Sequence, residues 1–254
     1  MAVRFYWAAI SHPSQAVRKM LDLKQVPYQA VNVLPFNQRI HLRAVGFRGG
    51  TVPAIKLDGR RVQGSREIAR VLDELWPDPP LFPADPELRK QVEEAERWGE
   101  QTLQPVPRRL GRWGAARELE VRRWGARSAR LPAPELVARI SAPPARYFAR
   151  TLEVDGKRAK TEADARADLE ALPGLLDRVD ELLADGTLTL DRPNAATLQV
   201  LSSVALLDAL ADLHDAIGAR RCGVAARELF PHYPGPIPRF LPPEWLAPLR
   251  QARG

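Results

Sequence analysis

Cysteine is almost absent from this chain: Cys222 stands alone in 254 residues. That excludes an internal disulfide and a cysteine-rich zinc site, and it suits a reducing compartment. The same fact excludes dithiol exchange, and Cys222, beside Arg220 and Arg221, reads as an incidental thiol. Lysine is scarce too, with six among 38 basic residues, so the net charge of +7 rests on arginine. A positive balance favours anionic ligands and bears on solubility rather than fold. The histidines (His12, His41, His214, His232) are scattered without metal-ligand spacing, so no metal is expected. The most apolar run, Leu198 to Leu213, contains Asp208 and Asp212 and is too short to cross a bilayer. It reads as a buried helix. Met1 to Trp7 shows no basic segment followed by a long apolar one, so a cytoplasmic protein without a signal peptide is the expectation. Gly46-Phe47-Arg48-Gly49-Gly50 lacks the lysine and the spacing of a phosphate loop.

What is present is enough for a core. The chain is 45% hydrophobic and 27% charged, and its length suits one large domain or two modest ones. Arg4–Ile10 is an aromatic-rich strand, and Ser14–Lys24 places Val17, Met20 and Leu21 at helical spacing. Tyr28–Leu34 reads as a strand and Asn37–Val45 as a short helix. Ala54–Leu57 and Arg61–Gln63 form a hairpin about Asp58-Gly59. Ser65–Leu75 carries Ile68, Ala69, Leu72 and Leu75 on one face. The order is βαβαββα over residues 1–76. Residues 77–86 hold prolines too dense for a helix or a central strand and mark a linker. Residues 87–230 read as helices: Glu87–Gln104, Arg108–Arg130, Pro134–Ile140, Lys160–Ala184, Ala195–Ile217 and Val224–Phe230. Residues 231–254 form a proline-rich tail expected to pack along the body through Tyr233, Phe240 and Trp245.

Four local patterns could carry chemistry. Ser11 and Ser14 precede the first helix, as caps or as hydroxyls at a helix N-terminus. Val52-Pro53 leads into a strand, as an edge-strand proline or a ligand-facing step. Gly64-Ser65 opens a helix, another place where anions are held. Arg108 to Arg130 has eight arginines against Glu118 and Glu120. Read as one helix, it puts Trp113 and Trp124 about three turns apart on one face. They would be core tryptophans above a solvated basic face, or the aromatic wall of a pocket. Interleaved arginine and tryptophan also suits nucleic acid, but no nucleic-acid fold signature accompanies it.

Strand, Ser-x-x-Ser turn, helix, Val-Pro strand, Asp-Gly hairpin and Gly-Ser helix, in that order, resemble the amino-terminal domain of the glutathione S-transferases. The resemblance implies an α/β thioredoxin-like domain followed by an all-α domain, and a homodimer. It implies conjugation of glutathione, or a related small thiol, to a hydrophobic electrophile. The alternative is a non-catalytic binding module on the same scaffold. A free thiol titrates near 8.5, and a hydroxyl bonded to the thiolate, worth about 1.5–3 kcal/mol, lowers that by roughly one to two units. The family's thiol-activating residue falls on Ser11, with Ser14 as runner-up. The family's cis-proline falls on Pro53, where Val52 would pair with the cysteinyl backbone. Ser65 would hold the γ-glutamyl carboxylate. The chain departs from the pattern at Gly64, where the family carries an acidic or amide side chain, so Gln63 or Glu67 would have to compensate. Lysines usual before the Val-Pro step are replaced by Gly50 and Thr51, leaving Arg39, Arg48 or His41 for the glycyl carboxylate. Asn194 is the expected cap of the most apolar helix, with Thr197 in place of the family's aspartate. The electrophile would lie between the domains near Trp113 and Trp124.

Overall fold

The computed structural model describes residues 2–34, 37–151, 153–154, 157–158 and 162–251. The chain divides into two compact units. The first comprises residues 1–96 and 186–202; the second comprises 97–185 and 203–254.

The first unit is built on a four-stranded mixed sheet. Its strands are β1 (Val3–Trp7), β2 (Tyr28–Asn32), β3 (Ala54–Leu57) and β4 (Arg60–Gln63), in the order β2-β1-β3-β4. β1 and β2 are parallel because α1 (His12–Leu23) crosses between them; β3 and β4 run antiparallel about the Asp58-Gly59 turn. Asp58 and Gly59 both have positive φ, which this tight turn requires. α1 buries Ala16, Val17, Met20 and Leu21. α3 (Ser65–Leu75) buries Ile68, Ala69, Val71 and Leu72 at helical spacing, and the two helices pack together. A second cluster holds Tyr6, Val33, Leu42, Phe47 and Val52, with Leu42 supplied by α2 (Gln38–Ala44). The βαβαββα order therefore stands, with strand ends shorter than the apolar runs suggest.

The linker is tied to this unit by a buried ammonium. Lys24 Nζ donates to Asp73 (3.0 Å), to the Trp76 carbonyl (2.5 Å) and to the Pro79 carbonyl (2.7 Å). Asp73 also accepts from the Leu81 amide, and the Leu81 carbonyl accepts from the Ala195 amide at 2.9 Å. Three acceptors satisfy every donor of the lysine, which is why it tolerates complete side-chain burial.

Helices follow: α4 (Pro86–Trp98), a π turn (Gly99–Leu103), α5 (Pro105–Arg117), α6 (Leu119–Ser128), α7 (Pro134–Ile140) and α8 (Ala142–Thr151). After the small β5/β6 pair (Glu153–Val154, Lys157–Arg158) come α9 (Glu162–Ala184) and α10 (Ala195–Asp208). The chain closes with α11 (His214–Ile217), α12 (Arg221–Leu229), a 3-10 turn (Pro243–Leu246) and α13 (Ala247–Gln251). The start predicted at Lys160 lies outside the described residues, and α8 was not foreseen.

Two predicted helices are divided. The chain is extended at Glu118 (φ −102°, ψ 125°), so residues 108–130 are two helices. Carbonyls freed at the end of α5 are taken by arginines: Arg122 donates to Ala115 (2.9 Å) and Arg146 to Ala116 (3.4 Å). The helix predicted over Ala195–Ile217 stops at Asp208 because the tail takes its next hydrogen bonds. Ile237 donates to Ala209, and Ala211 donates to Ile237. Of the three tail aromatics expected to pack, Phe240 and Trp245 are buried and Tyr233 is half-buried. Phe240 lies against Gly114, where a Cβ would sit 2.7 Å from its ring.

The cap of α10 is complete. Asn194 Oδ1 accepts from the Thr197 amide (2.9 Å) and hydroxyl (3.0 Å), while its amide donates to the Thr187 carbonyl (2.8 Å). The Thr197 hydroxyl in turn accepts from the Thr189 amide (3.0 Å). Threonine at this position thus ties the cap to the backbone at Thr189.

Candidate functional site

Three of the motifs meet at one end of the sheet. Tyr6 is opposite Ala54, and Ala54 is opposite Gln63. The chain leaving β1 toward Ser11, the Val52-Pro53 step entering β3 and the Gly64-Ser65 step leaving β4 therefore share that end. The Gly64 amide donates to the Pro53 carbonyl at 3.0 Å, closing two of them together. The Val52–Pro53 peptide is cis. Val52 is buried, and its backbone makes no hydrogen bond among the described residues.

Ser11 caps α1 with extended backbone (φ −87°, ψ 110°). Its Oγ accepts from the Ser14 amide (3.4 Å) and the Ser14 hydroxyl (3.0 Å). Ser14 is wholly buried and faces the Ala8 amide as well. The two serines are thus not equivalent. Ser14 is an inner brace, whereas Ser11 is half-buried and accepts both bonds, leaving its own hydrogen uncommitted at a helix N-terminus.

At α3 the N-cap is Gly64, with φ +97° and ψ 140°, and no side chain caps the first turn. That backbone region is costly for any residue but glycine. A Cβ there would meet nothing within 4 Å. The departure from the family's side chain thus relieves strain rather than filling space, and the first N–H groups of α3 are left without a capping side chain.

Ser65 itself is buried, and its hydroxyl donates to Gln199 Oε1 at 2.7 Å. Gln199 Nε2 donates to Glu96 Oε1. Glu96 Oε2 accepts from Arg66 Nε (3.1 Å) and from an Arg70 guanidinium nitrogen (2.8 Å). Every donor in this chain points toward the carboxylate. Glu96 is wholly buried, and burial pushes its carboxyl above the ordinary range near 4.5, with Arg70 and Arg66 pulling it back. The Ser65 hydroxyl is spent inward and does not serve the predicted role of donor to a ligand carboxylate. Sequence reading missed Glu96 and Gln199. A glutamine inside the most apolar run was a usable signal, since a polar side chain there must find a buried mate; Glu96 gave none.

Gln63 is also spent. Its Oε1 accepts from the Gly49 amide (3.0 Å) and its Nε2 donates to the Thr51 carbonyl (2.7 Å). This brace shapes the loop into Val52-Pro53 and removes Gln63 as a stand-in for the family's residue at 64. Arg39 and Arg48 are exposed on α2 and that loop, and neither forms an ion pair among the described residues. The Arg39 stem lies over Gly50. His41 stacks edge-on against Tyr6.

Trp113 and Trp124 do not share a helix face, because the break at Glu118 puts them on α5 and α6. Trp113 packs on Trp245 (4.9 Å) and Phe240 (6.3 Å). It lines a cavity of about 710 Å³ formed within the second unit and bordered by Asp212, Asp215 and Arg239; Trp124 is not part of that lining. Cys222 is buried, and burial, reinforced by Asp180, pushes its thiol up to about 12. It is no nucleophile at neutral pH. No cluster of metal-ligating side chains occurs among the described residues.

A mixed sheet of this order with a Ser-capped first helix and a cis-proline, followed by a helical region, defines a thioredoxin-like domain joined to an all-α region. Residues 5–80 match the family model of the glutathione S-transferase N-terminal domain. No curated protein sequence matches the chain. Among solved structures, a glutathione S-transferase from Sinorhizobium meliloti is 19% identical, with 98% of this chain and 92% of that one covered and a TM-score of 0.60. A beta-etherase from a Sphingobium strain is 18% identical, over 91% and 99%, with a TM-score of 0.61. A theta-class glutathione S-transferase from Xanthomonas axonopodis, solved with glutathione bound, is 19% identical over 80% and 81%, at 0.54. At these identities the likeness is one of fold. The family match itself rests on residues 5–80, the first unit's sheet and helices.

Proposed function

We propose that the chain conjugates glutathione, or a closely related small thiol, to a hydrophobic electrophile. The observation that carries this reading is the Ser11 hydroxyl, which accepts twice from Ser14 and keeps its own hydrogen for a thiolate. A charge-assisted bond of that kind, worth about 1.5–3 kcal/mol, holds the bound thiol ionised near neutral pH. Val52 supplies free backbone groups for pairing with the cysteinyl unit, and the N–H groups of Ser65 and Arg66 receive the γ-glutamyl carboxylate. Arg39 and Arg48 are the cations available to the glycyl end. A homodimer and a cytoplasmic setting belong to the same proposal.

The test is turnover of chlorodinitrobenzene with glutathione by wild type and Ser11→Ala. The variant should stay folded and lose roughly ten- to hundredfold in kcat/KM, or about 1.4–2.7 kcal/mol. A second reading, a binding module without turnover, is favoured by the inward Ser65 hydroxyl and by Gly64. Calorimetry separates the two: no heat at millimolar glutathione would leave only the module.

A further inference from the structure

The positive charge of this chain is not spread over it. Residues 105–151 hold eleven arginines against three glutamates, whereas the rest holds 27 basic and 28 acidic residues. All of the excess therefore sits in α5 to α8, within the second unit.

Two of these helices, α7 and α8, wear their large apolar residues outward. On α7 the wholly buried residue is Ala138, while Leu136 and Ile140, one turn apart, are 59% and 63% exposed. On α8 the small Ala149 is buried, while Tyr147 is 63% exposed, and Pro143 and Pro144 are exposed at its start. Soluble helices ordinarily turn their large apolar side chains to the core. Among the described side chains here, small ones serve the core, and Leu136, Ile140 and Tyr147 form an outward band. Arg139 and Arg146 stand exposed within the band, and Arg130 stands exposed just before it. Arg130 and Arg139 form no ion pair among the described residues.

We propose that this α7–α8 corner docks on an anionic lipid surface, with the apolar band entering the headgroup boundary and the arginines meeting the anionic headgroups. Aliphatic side chains gain from that boundary but offer nothing to a nucleic acid, whose backbone calls for cations and whose bases call for stacking rings; the described band has two aliphatic side chains to one ring, Tyr147. A two-fold contact with a second copy would set equal positive charges against each other. An anionic interface satisfies both the apolar and the basic character. No helix among the described residues is long and apolar enough to span a membrane, so the contact is peripheral.

The experiment is co-sedimentation of the full chain with phosphatidylcholine vesicles, with and without phosphatidylserine, over a salt series. Wild type should sediment with the phosphatidylserine vesicles and not with phosphatidylcholine alone. Leu136→Ser/Ile140→Ser, whose side chains are exposed, should melt like wild type and partition at least tenfold more weakly; Arg139→Gln/Arg146→Gln should flatten the salt dependence. Equal partition by the serine variant would show adsorption by bulk charge and overturn the proposal. So would absence of vesicle binding, whether or not a single-stranded oligonucleotide binds instead. A wild-type dimer that the serine variant abolishes would also overturn it, by assigning the band to self-association.

Discussion

Ser65 stands where sequence reading put it, at the head of α3, yet its hydroxyl belongs to a buried line that ends on Glu96. The raised pKa of Glu96 means that the folded state holds this proton to higher pH than the unfolded chain does. Its contribution to stability is therefore full below about 4.5 and is lost as pH climbs through the folded value. Thermal melts over a pH series should show that loss in wild type and not in Glu96→Gln. Cys222 follows the same sign. Its stability term is intact below 9.0 and lost as pH rises toward about 12. At neutral pH a thiol reagent should leave it untouched until denaturant is added. Gly64→Gln should find room for its side chain but cost about 1–3 kcal/mol in backbone strain, read as a lower melting temperature. Local residue types marked Ser11 and Ser65 as helix starts and Val52-Pro53 as the step into a strand, because turns and helix starts are written in adjacent residues. The inward use of Ser65 was not legible, because its mate lies 134 residues away.

Elements were legible where period and punctuation agreed. β3, α3 and α7 fall on the predicted bounds because a turn, a Gly-Ser step and a proline fence them. The break at Glu118 was not, since helical spacing runs through it and the arginines that stabilise it come from α6 and α8. At Gly114 the sequence shows only a glycine in a helix; the structure shows why, with Phe240 occupying the space of a side chain. Gly114→Val should displace the tail and cost about 1–3 kcal/mol by overpacking, visible as loss of Trp245 burial in fluorescence. Asn194→Ala removes both the cap and the mate of the Thr187 carbonyl. A loss of about 2–3 kcal/mol is expected in denaturant melts.

The first unit takes a second segment, 186–202, to complete it. The linker prolines at 77–86 marked a change of composition, yet compactness continues to residue 96. Lys24, Asp73 and Leu81 hold that linker, and Ala195 closes on it. A fragment ending at residue 96 should melt well below the full chain, because it lacks Gln199 and the Ala195 amide.

Order in the chain then becomes order in time. Gln199 follows Glu96 by 103 positions, about 5–20 s of synthesis at ordinary ribosomal rates. Throughout that interval the nascent sheet carries a carboxylate and two arginines still waiting for the amide that seals them. The amino-terminal unit is begun first, yet it stays incomplete until most of the second has been made.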